Sequence, residues 1–181
     1  KISGLPEKNL LINARRFDMG AKSGTGLFVV IEDLTEKCKA QQALHKAERK
    51  RQESENLFQV VADTAPVMIW LAGTDRRCYF FNKAWLEFTG KTLQQEVADG
   101  WEHNIHPDDA RRCLQAYDNA FESRTEFRIE YRMLRQDGSC RWVADKGVPR
   151  YDLQGEFAGY AGSVSDIHDQ KDLSDTLEKM V

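Results

Sequence analysis

The chain has no Cys-x-x-Cys and no paired spacing among its four cysteines, Cys38, Cys78, Cys113 and Cys140. That pattern reads as free thiols in a reducing compartment and predicts a cytoplasmic location. No apolar run is long enough to cross a bilayer, no signal peptide opens the sequence, and Lys1-Ile2 stand where an initiator Met would be. The sequence is therefore expected to be an excerpt of a longer soluble polypeptide, with no membrane contact of its own. An excess of positive charge is missing as well. The net charge is −3, and no Lys/Arg cluster alternates with aromatics, so nucleic acid is not an expected partner. Catalytic signatures are also lacking: a phosphate-cradling loop with Lys, Gly-x-Ser-x-Gly, His-Glu-x-x-His and a kinase phosphoacceptor region. Any enzymatic output is expected to lie outside these 181 residues.

What is present is an echo. Gly26-Leu27-Phe28-Val29-Val30-Ile31-Glu32-Asp33-Leu34-Thr35-Glu36 recurs 133 positions later as Gly159-Tyr160-Ala161-Gly162-Ser163-Val164-Ser165-Asp166-Ile167-His168-Asp169. In both copies a β-rich run ends at an Asp, passes one aliphatic residue and a potential cap, and enters a charged helical sequence that reaches Leu44 or Leu177 after equal spacing. The echo continues upstream with a one-residue slip, Arg16-Phe17-Asp18 answering Arg150-Tyr151-Asp152. Such a period implies the end of one domain followed by a whole second one.

Leu10 to Arg16 and Gly26 to Glu32 are two β-like runs around Gly20, Ser23 and Gly24, a predicted hairpin. An isolated hairpin is marginal in water, so these strands are expected to dock on something. From Glu36 to Ala65 there is neither Gly nor Pro. Ala40, Leu44, Ala47, Arg51, Ser54, Phe58, Val61 and Ala65 form an alternating 4,3 stripe, a heptad seam with a polar middle at Arg51 and Ser54. One reading is a parallel dimeric coiled coil with a weak, adjustable seam; the other is a solvated linker helix packed on its own domain. Pro66 ends that helix. Strands are predicted at Val67 to Ala72 and Cys78 to Phe81. A short helix Lys83 to Thr89 follows, capped by Asn82 and closed by Gly90, then helical pieces at Leu93 to Val97 and from Pro107 to about Ser123. In Thr125 to Leu134, Phe127, Ile129, Tyr131 and Met133 alternate with charges, a strand with one buried face. Asp137-Gly138 turns the chain into a strand Cys140 to Val148, and Asp152 to Gly155 turns it into Phe157 to Ser165. The economical architecture is α+β: a five-stranded antiparallel sheet with helices on one face, preceded by a long linker helix.

At this point the chain resembles the PAS family. The resemblance is carried by Asn82-Lys83-Ala84-Trp85-Leu86-Glu87-Phe88-Thr89-Gly90, Ile105-His106-Pro107-Asp108-Asp109-Ala110-Arg111, Asp137-Gly138-Ser139-Cys140-Arg141-Trp142-Val143, and Gly159 through Asp169, and covers about Glu55 to Gln170. Residues 1–35 look like the last strands of a preceding PAS domain, 36–65 a signalling helix, 66–166 a complete PAS domain and 167–181 an exit helix. Leu11 to Arg16 with Ile31 to Glu36 is similar to tails in PAS-bearing sensor histidine kinases and chemotaxis methyltransferase fusions, which implies a bacterial two-component setting. The resemblance implies a noncatalytic sensory and dimerisation module that passes strain through its flanking helices to an output domain in the same polypeptide. A homodimer would form through the linker helix and sheet. The alternative is a receptor domain for a small ligand or noncovalent flavin.

The family's exit signature implies signal-transfer roles for Asp33, Thr35, Asp166 and His168; the polar middle of the seam adds Arg51 and Ser54, and Arg141 is an expected ion-pair partner of Asp166. His168 departs from the family's Thr and changes the cap. An apolar cavity could be walled by Trp70, Phe80, Trp85, Phe88, Trp101, Tyr131, Trp142 and Tyr160, or the same residues could simply fill the core. His103 and His106, with Glu102, Asp108 and Asp109, suggest a metal, but Pro107 and the two Asp residues already make a helix start, so no metal is expected. Haem would need a His on the helix from Pro107 to Ser123, which has none. A covalent flavin adduct would need a Cys directly after Asn82, where Lys83 stands.

Overall fold

The computed structural model describes residues 8–18 and 25–178, in two compact units divided between Leu57 and Phe58. In the first, β1 (Leu10–Asp18) and β2 (Thr25–Asp33) pair antiparallel from Leu10↔Asp33 to Asp18↔Thr25. Both strands outrun the sequence expectation, and the turn residues Gly20, Ser23 and Gly24 lie outside the described residues. The apolar side chains Ile12, Leu27, Phe28 and Ile31 stay exposed. After Leu34 begins α1 (Thr35–Thr64), whose residues up to Leu57 are knit by surface pairs such as Arg49 Nε to Glu53 Oε1, 2.9 Å, and Arg51 Nε to Glu55 Oε1, 3.7 Å. Its heptad stripe is uncovered, with Leu44 59% exposed and Arg51 and Ser54 also open to solvent.

The second unit takes the last turns of α1, of which Ala62 is the buried residue. There follow β3 (Met68–Ala72), β4 (Cys78–Phe81), α2 (Lys83–Thr89), α3 (Leu93–Asp99), a 3-10 turn Trp101–Asn104 and α4 (Pro107–Ser123). Then come β5 (Phe127–Leu134), β6 (Cys140–Tyr151), β7 (Phe157–Asp166) and α5 (His168–Glu178). The five strands lie in the order β4-β3-β7-β6-β5, every neighbouring pair antiparallel. The returning strand, expected to stop at Val148, runs on through Pro149. Pairing with β5 ends at Phe127↔Gly147, so Pro149 meets only β7 and its missing N–H breaks no ladder on the other side.

Strand alternation decides which side chains enter the core. Facing α2 and α4 are Trp70, Ala72, Phe81, Tyr131, Met133, Val143, Tyr160 and Val164, packed with Trp85, Cys113, Tyr117 and Phe121. Two strand glycines make room for rings: a Cβ on Gly162 would enter the Trp70 indole, and one on Gly147 the Phe127 ring. α2 is held by the Asn82 cap at one end and by Gly90 at φ +72° at the other, and α3 starts in a capping box of Thr92 and Gln95. While α2, α3 and α4 cover the inner face, α5 starts against the outer one, where Lys171 Nζ sits 4.8 Å from the Trp142 ring centre and 2.7 Å from Glu130 Oε2. Among the described residues no helix is long and apolar enough to cross a membrane.

Candidate functional site

A small cavity remains between sheet and helices, lined by Trp70, Cys78, Trp85, Trp101, Tyr117, Phe127 and Asp145. It offers about 10 Å³ to the centre of a water-sized sphere, room for about one water. Asp145 is the unusual wall residue. β6 turns Val143, Asp145 and Gly147 inward, and the Asp145 residue is only 4% exposed. Trp70 Nε1 donates to its Oδ1 at 3.1 Å and the Tyr131 hydroxyl to its Oδ2 at 3.4 Å. Burial pushes this carboxyl up to about 7, against the pull of those two hydrogen bonds. Burial likewise raises the Cys78 thiol and the Tyr117 and Tyr131 phenols, so all three stay neutral near physiological pH. Trp85, 1% exposed, keeps a buried Nε1 with no partner among the described residues.

At the far edge of the same unit the strand β7 feeds α5 through a polar clamp. Arg141 Nε donates to Asp166 Oδ2 at 2.6 Å and its NH2 to Asp169 Oδ1 at 2.8 Å; these bonds raise the Arg141 pKa further. Asp166 Oδ1 accepts from His168 N at 3.0 Å, Ile167 N donates to Trp142 O at 2.9 Å, and His168 Nδ1 accepts from Trp142 N at 3.4 Å. The first unit carries the same clamp where β2 feeds α1. Lys8 Nζ donates to Asp33 Oδ2 at 2.8 Å, Thr35 N to Asp33 Oδ1 at 3.0 Å, Leu34 N to Asn9 O at 2.7 Å, and Thr35 Oγ1 accepts from Asn9 N at 2.9 Å. Hydrogen bonds from Lys8 and Thr35 hold the Asp33 carboxyl well below the usual carboxylate range. Each residue that holds one clamp's Asp thus has a counterpart 133 residues away, with the imidazole nitrogen of His168 doing the accepting of the Thr35 hydroxyl, while the Arg141–Asp169 bond and the bond from the Thr35 hydroxyl to Asp33 belong to one clamp each. The upstream echo with its one-residue slip is not carried by the pairing: Arg16 opposite Leu27 answers Pro149 opposite Tyr160, and the register shift between Arg150 and Tyr151 puts its extra residue, Ala158, on β7.

A third polar node joins α1 to the second unit's core. Asn82 is fully buried: its Oδ1 accepts from Ile69 N (2.8 Å) and Trp85 N (3.2 Å), and its Nδ2 donates to Ala62 O (2.7 Å) and Val67 O (2.9 Å). With two lone pairs and two hydrogens used, the amide is satisfied. Asp63 Oδ1 accepts from Lys83 N at 2.8 Å beside it.

Of the residues expected around a cavity, Trp70, Trp85 and Trp101 line it. Tyr131 reaches it through Asp145, whereas Tyr160 is core and donates to Ala120 O and Thr125 O. Two placements correct the expectation. Trp142 stands on the outer face between Arg132 and Lys171, because β6 alternation sends it opposite to Val143 and Asp145. Phe80 also points outward, 5.2 Å from the Phe58 ring, because Cys78 and Phe81 take the inward positions of β4. Phe88 is half-buried against the core without reaching the cavity. Sequence reasoning missed Asp145, Cys78, Tyr117 and Phe127. For Asp145 the signal was available, a charge at an inward position of an alternating strand. Near His106, the imidazole Nδ1 accepts from Asp108 N, and Asp109 is taken by Arg132, Nε to Oδ2 at 2.9 Å and NH2 to Oδ1 at 3.2 Å. Among the described residues no three His, Cys, Asp or Glu side chains converge as metal ligands.

An antiparallel five-stranded sheet covered by short helices on one face, with a helix entering and another leaving, defines a small α+β domain. Residues 79–164 match the family model described as PAS fold, and this segment is a PAS domain. The chain is 37% identical over 141 residues to an uncharacterized protein of Sinorhizobium fredii, covering 78% of this chain and 16% of that protein. It is 27% identical over 124 residues to a peroxide stress-activated histidine kinase of Schizosaccharomyces pombe, covering 68% of this chain and 8% of the kinase. A solved sensory box histidine kinase/response regulator of Burkholderia thailandensis superposes with TM-score 0.52 at 27% identity, covering 68% of this chain and 93% of that one. The chain therefore spans 16% or less of the length of these two full-length relatives.

Proposed function

We propose that the chain is a noncatalytic sensory and dimerisation module of a bacterial-type cytoplasmic signalling protein. Residues 1–35 would close a preceding PAS domain, 36–65 couple it to the PAS domain at 66–166, and 167–181 lead to an output domain in the same polypeptide. The observation that carries this reading is the duplicated clamp: a cation and an Asp at a strand's end hold the first turn of a helix in both places. A shift in a sheet moves the strand end, the clamp carries that shift into the helix, and the populations of two helix arrangements change. The exposed hairpin face and the uncovered stripe of Leu44, Arg51 and Ser54 are surfaces that a preceding domain and a second copy would cover. The test is Arg141→Ala in the full-length protein. Output is expected to lose its dependence on signal while the domain stays folded; an unaltered response overturns the relay. Arg51→Leu with Ser54→Leu is expected to tighten the dimer in analytical ultracentrifugation and lock output in one state, and unchanged association overturns the dimeric seam.

A second reading, a small-ligand receptor, is favoured by the buried carboxylate and orphan indole of the cavity. A flavin would require several core rings to move, since the space present suits about one water. Native mass spectrometry of the purified chain reports ligand and dimer together.

A further inference from the structure

We propose that the interior cavity takes a small organic ammonium bearing a hydroxyl or carbonyl oxygen, its cationic end on Asp145 among indole and phenol faces and its oxygen on Trp85 Nε1. This rests on the receptor reading above and names the ligand class. Three observations converge on it. Asp145 is a buried carboxylate met by two neutral donors, and among the described residues no Lys, Arg or His lies within ion-pair distance of it. A buried charge without a partner is costly, and a ligand cation supplies the partner. The surrounding walls, Trp70, Trp85, Trp101, Tyr117 and Phe127, present aromatic rings, the surface that attracts ammonium groups. The third is the Trp85 indole N–H, a buried donor that lacks an acceptor and so selects a ligand oxygen next to the cationic centre.

An entrance is also built. Cys78 and Trp101 line both the cavity and a surface cleft of about 260 Å³. Trp101 is half-buried in the 3-10 turn, directly after Gly100 at φ +84°. Asp99 and Glu102 border the cleft together with two guanidinium groups, Arg76, which is paired with Asp118 at 2.8 Å and Glu122 at 3.5 Å, and the exposed Arg77, which makes no ion pair among the described residues. The cleft thus offers the carboxylates of Asp99 and Glu102 beside the guanidinium of Arg77, and between it and Asp145 stands the Trp101 indole, packed edge-on against Tyr117 at 5.5 Å. The ligand must be small, because the interior admits about one water and further room comes only if the ligand displaces the Trp101 indole.

The experiment uses the purified chain at pH 8, with tryptophan fluorescence and calorimetry, and three probes of equal length: ethanolamine, propylamine and ethylene glycol. Ethanolamine is expected to give a saturable change, and ethylene glycol, which lacks the charge, to bind about ten- to a hundredfold more weakly. Propylamine, which lacks the oxygen, is expected to fall between them, and Trp85→Phe to erase its difference from ethanolamine. Asp145→Asn is expected to abolish the preference for cations without lowering the unfolding temperature. No saturable response to ethanolamine, an equal response to ethylene glycol, or an undiminished preference in Asp145→Asn overturns the proposal. The probe series on the unmodified chain decides the matter even if a variant fails to fold, and a negative result leaves the Arg141→Ala relay test standing by itself.

Discussion

The β1–β2 hairpin and the β6–β7 pair are two versions of one structure. Leu10 lies opposite Asp33 as Val143 lies opposite Asp166, and Ile12 opposite Ile31 as Asp145 opposite Val164. At the exit the two agree almost atom for atom, with Lys8, Asn9, Asp33 and Thr35 playing the parts of Arg141, Trp142, Asp166 and His168. Inside the strands they diverge. Where the second unit has Asp145 and the glycines Gly147 and Gly162, the hairpin has Ile12, Ala14 and Val29, so neither the buried carboxylate nor the ring-over-glycine packing has a counterpart there. The comparison teaches that the mechanical connection to a helix is the repeated part and the interior site the individual part.

The strongest way to break the comparison is at Asp145. Its folded-state pKa of about 7 exceeds the ordinary value of 3.8, so between those values the native protein binds more protons than the unfolded chain. Stability from this group is therefore complete below about pH 4 and is lost as pH rises through 7, by on the order of a few kcal/mol. Urea unfolding at pH 5 and pH 8 is expected to show that loss in the parent and not in Asp145→Asn. Next comes Asn82→Ala, which strands four hydrogen-bonding groups, two in buried and two in partly buried bonds, at the junction of α1, β3 and α2 and is expected to cost about 3 kcal/mol in the same assay. Asp109 acts with the opposite sign to Asp145. Hydrogen bonds and charge from Arg132 lower its pKa to about 2, so its contribution is present above about pH 4 and lost as pH falls toward 2. Asp109→Asn is expected to cost about 1 kcal/mol at pH 7 once solvent screening is allowed for, and little at pH 2. The two clamps differ less. Arg141 is 24% exposed and Asp166 33%, against 58% and 43% for Lys8 and Asp33. Arg141→Ala is accordingly expected to cost a few tenths to about 1 kcal/mol in thermal unfolding, and Lys8→Ala less. The smallest effect sharpens the likeness: His168→Thr recreates the first clamp's hydroxyl in the second and is expected to change stability by no more than about 0.5 kcal/mol.

Much of this was legible in the residues. The alternation of Phe127 to Met133, the Asn82 and Gly90 caps, the Asp137-Gly138 turn and the doubled Asp exit are local signals, and each was answered by a strand, a helix, a hairpin and a clamp. The ion pair of Arg141 with Asp166 was also expected and lies at 2.6 Å. Other features were not legible. The aromatic rings of Trp142 and Phe80 suit a cavity wall, and strand phase turns both away from it. Asn82 is legible in the sequence as a cap alone, since its bonds to Ala62 and Val67 join it to residues 20 and 15 positions away. The course of β6 past Val148 depended on where its neighbour β5 stopped.

Period, polarity and capping act between residues a few positions apart, so the amino-acid sequence by itself determined the elements, their order, the repeated strand-to-helix exit and the antiparallel meander of β5, β6 and β7. Only the tertiary structure decided that β3 pairs with β7, across about 90 residues, and that Asp145 is enclosed with Trp70 and Tyr131. Those outcomes arise from burying apolar faces against one another, a sum over distant side chains that no local pattern contains.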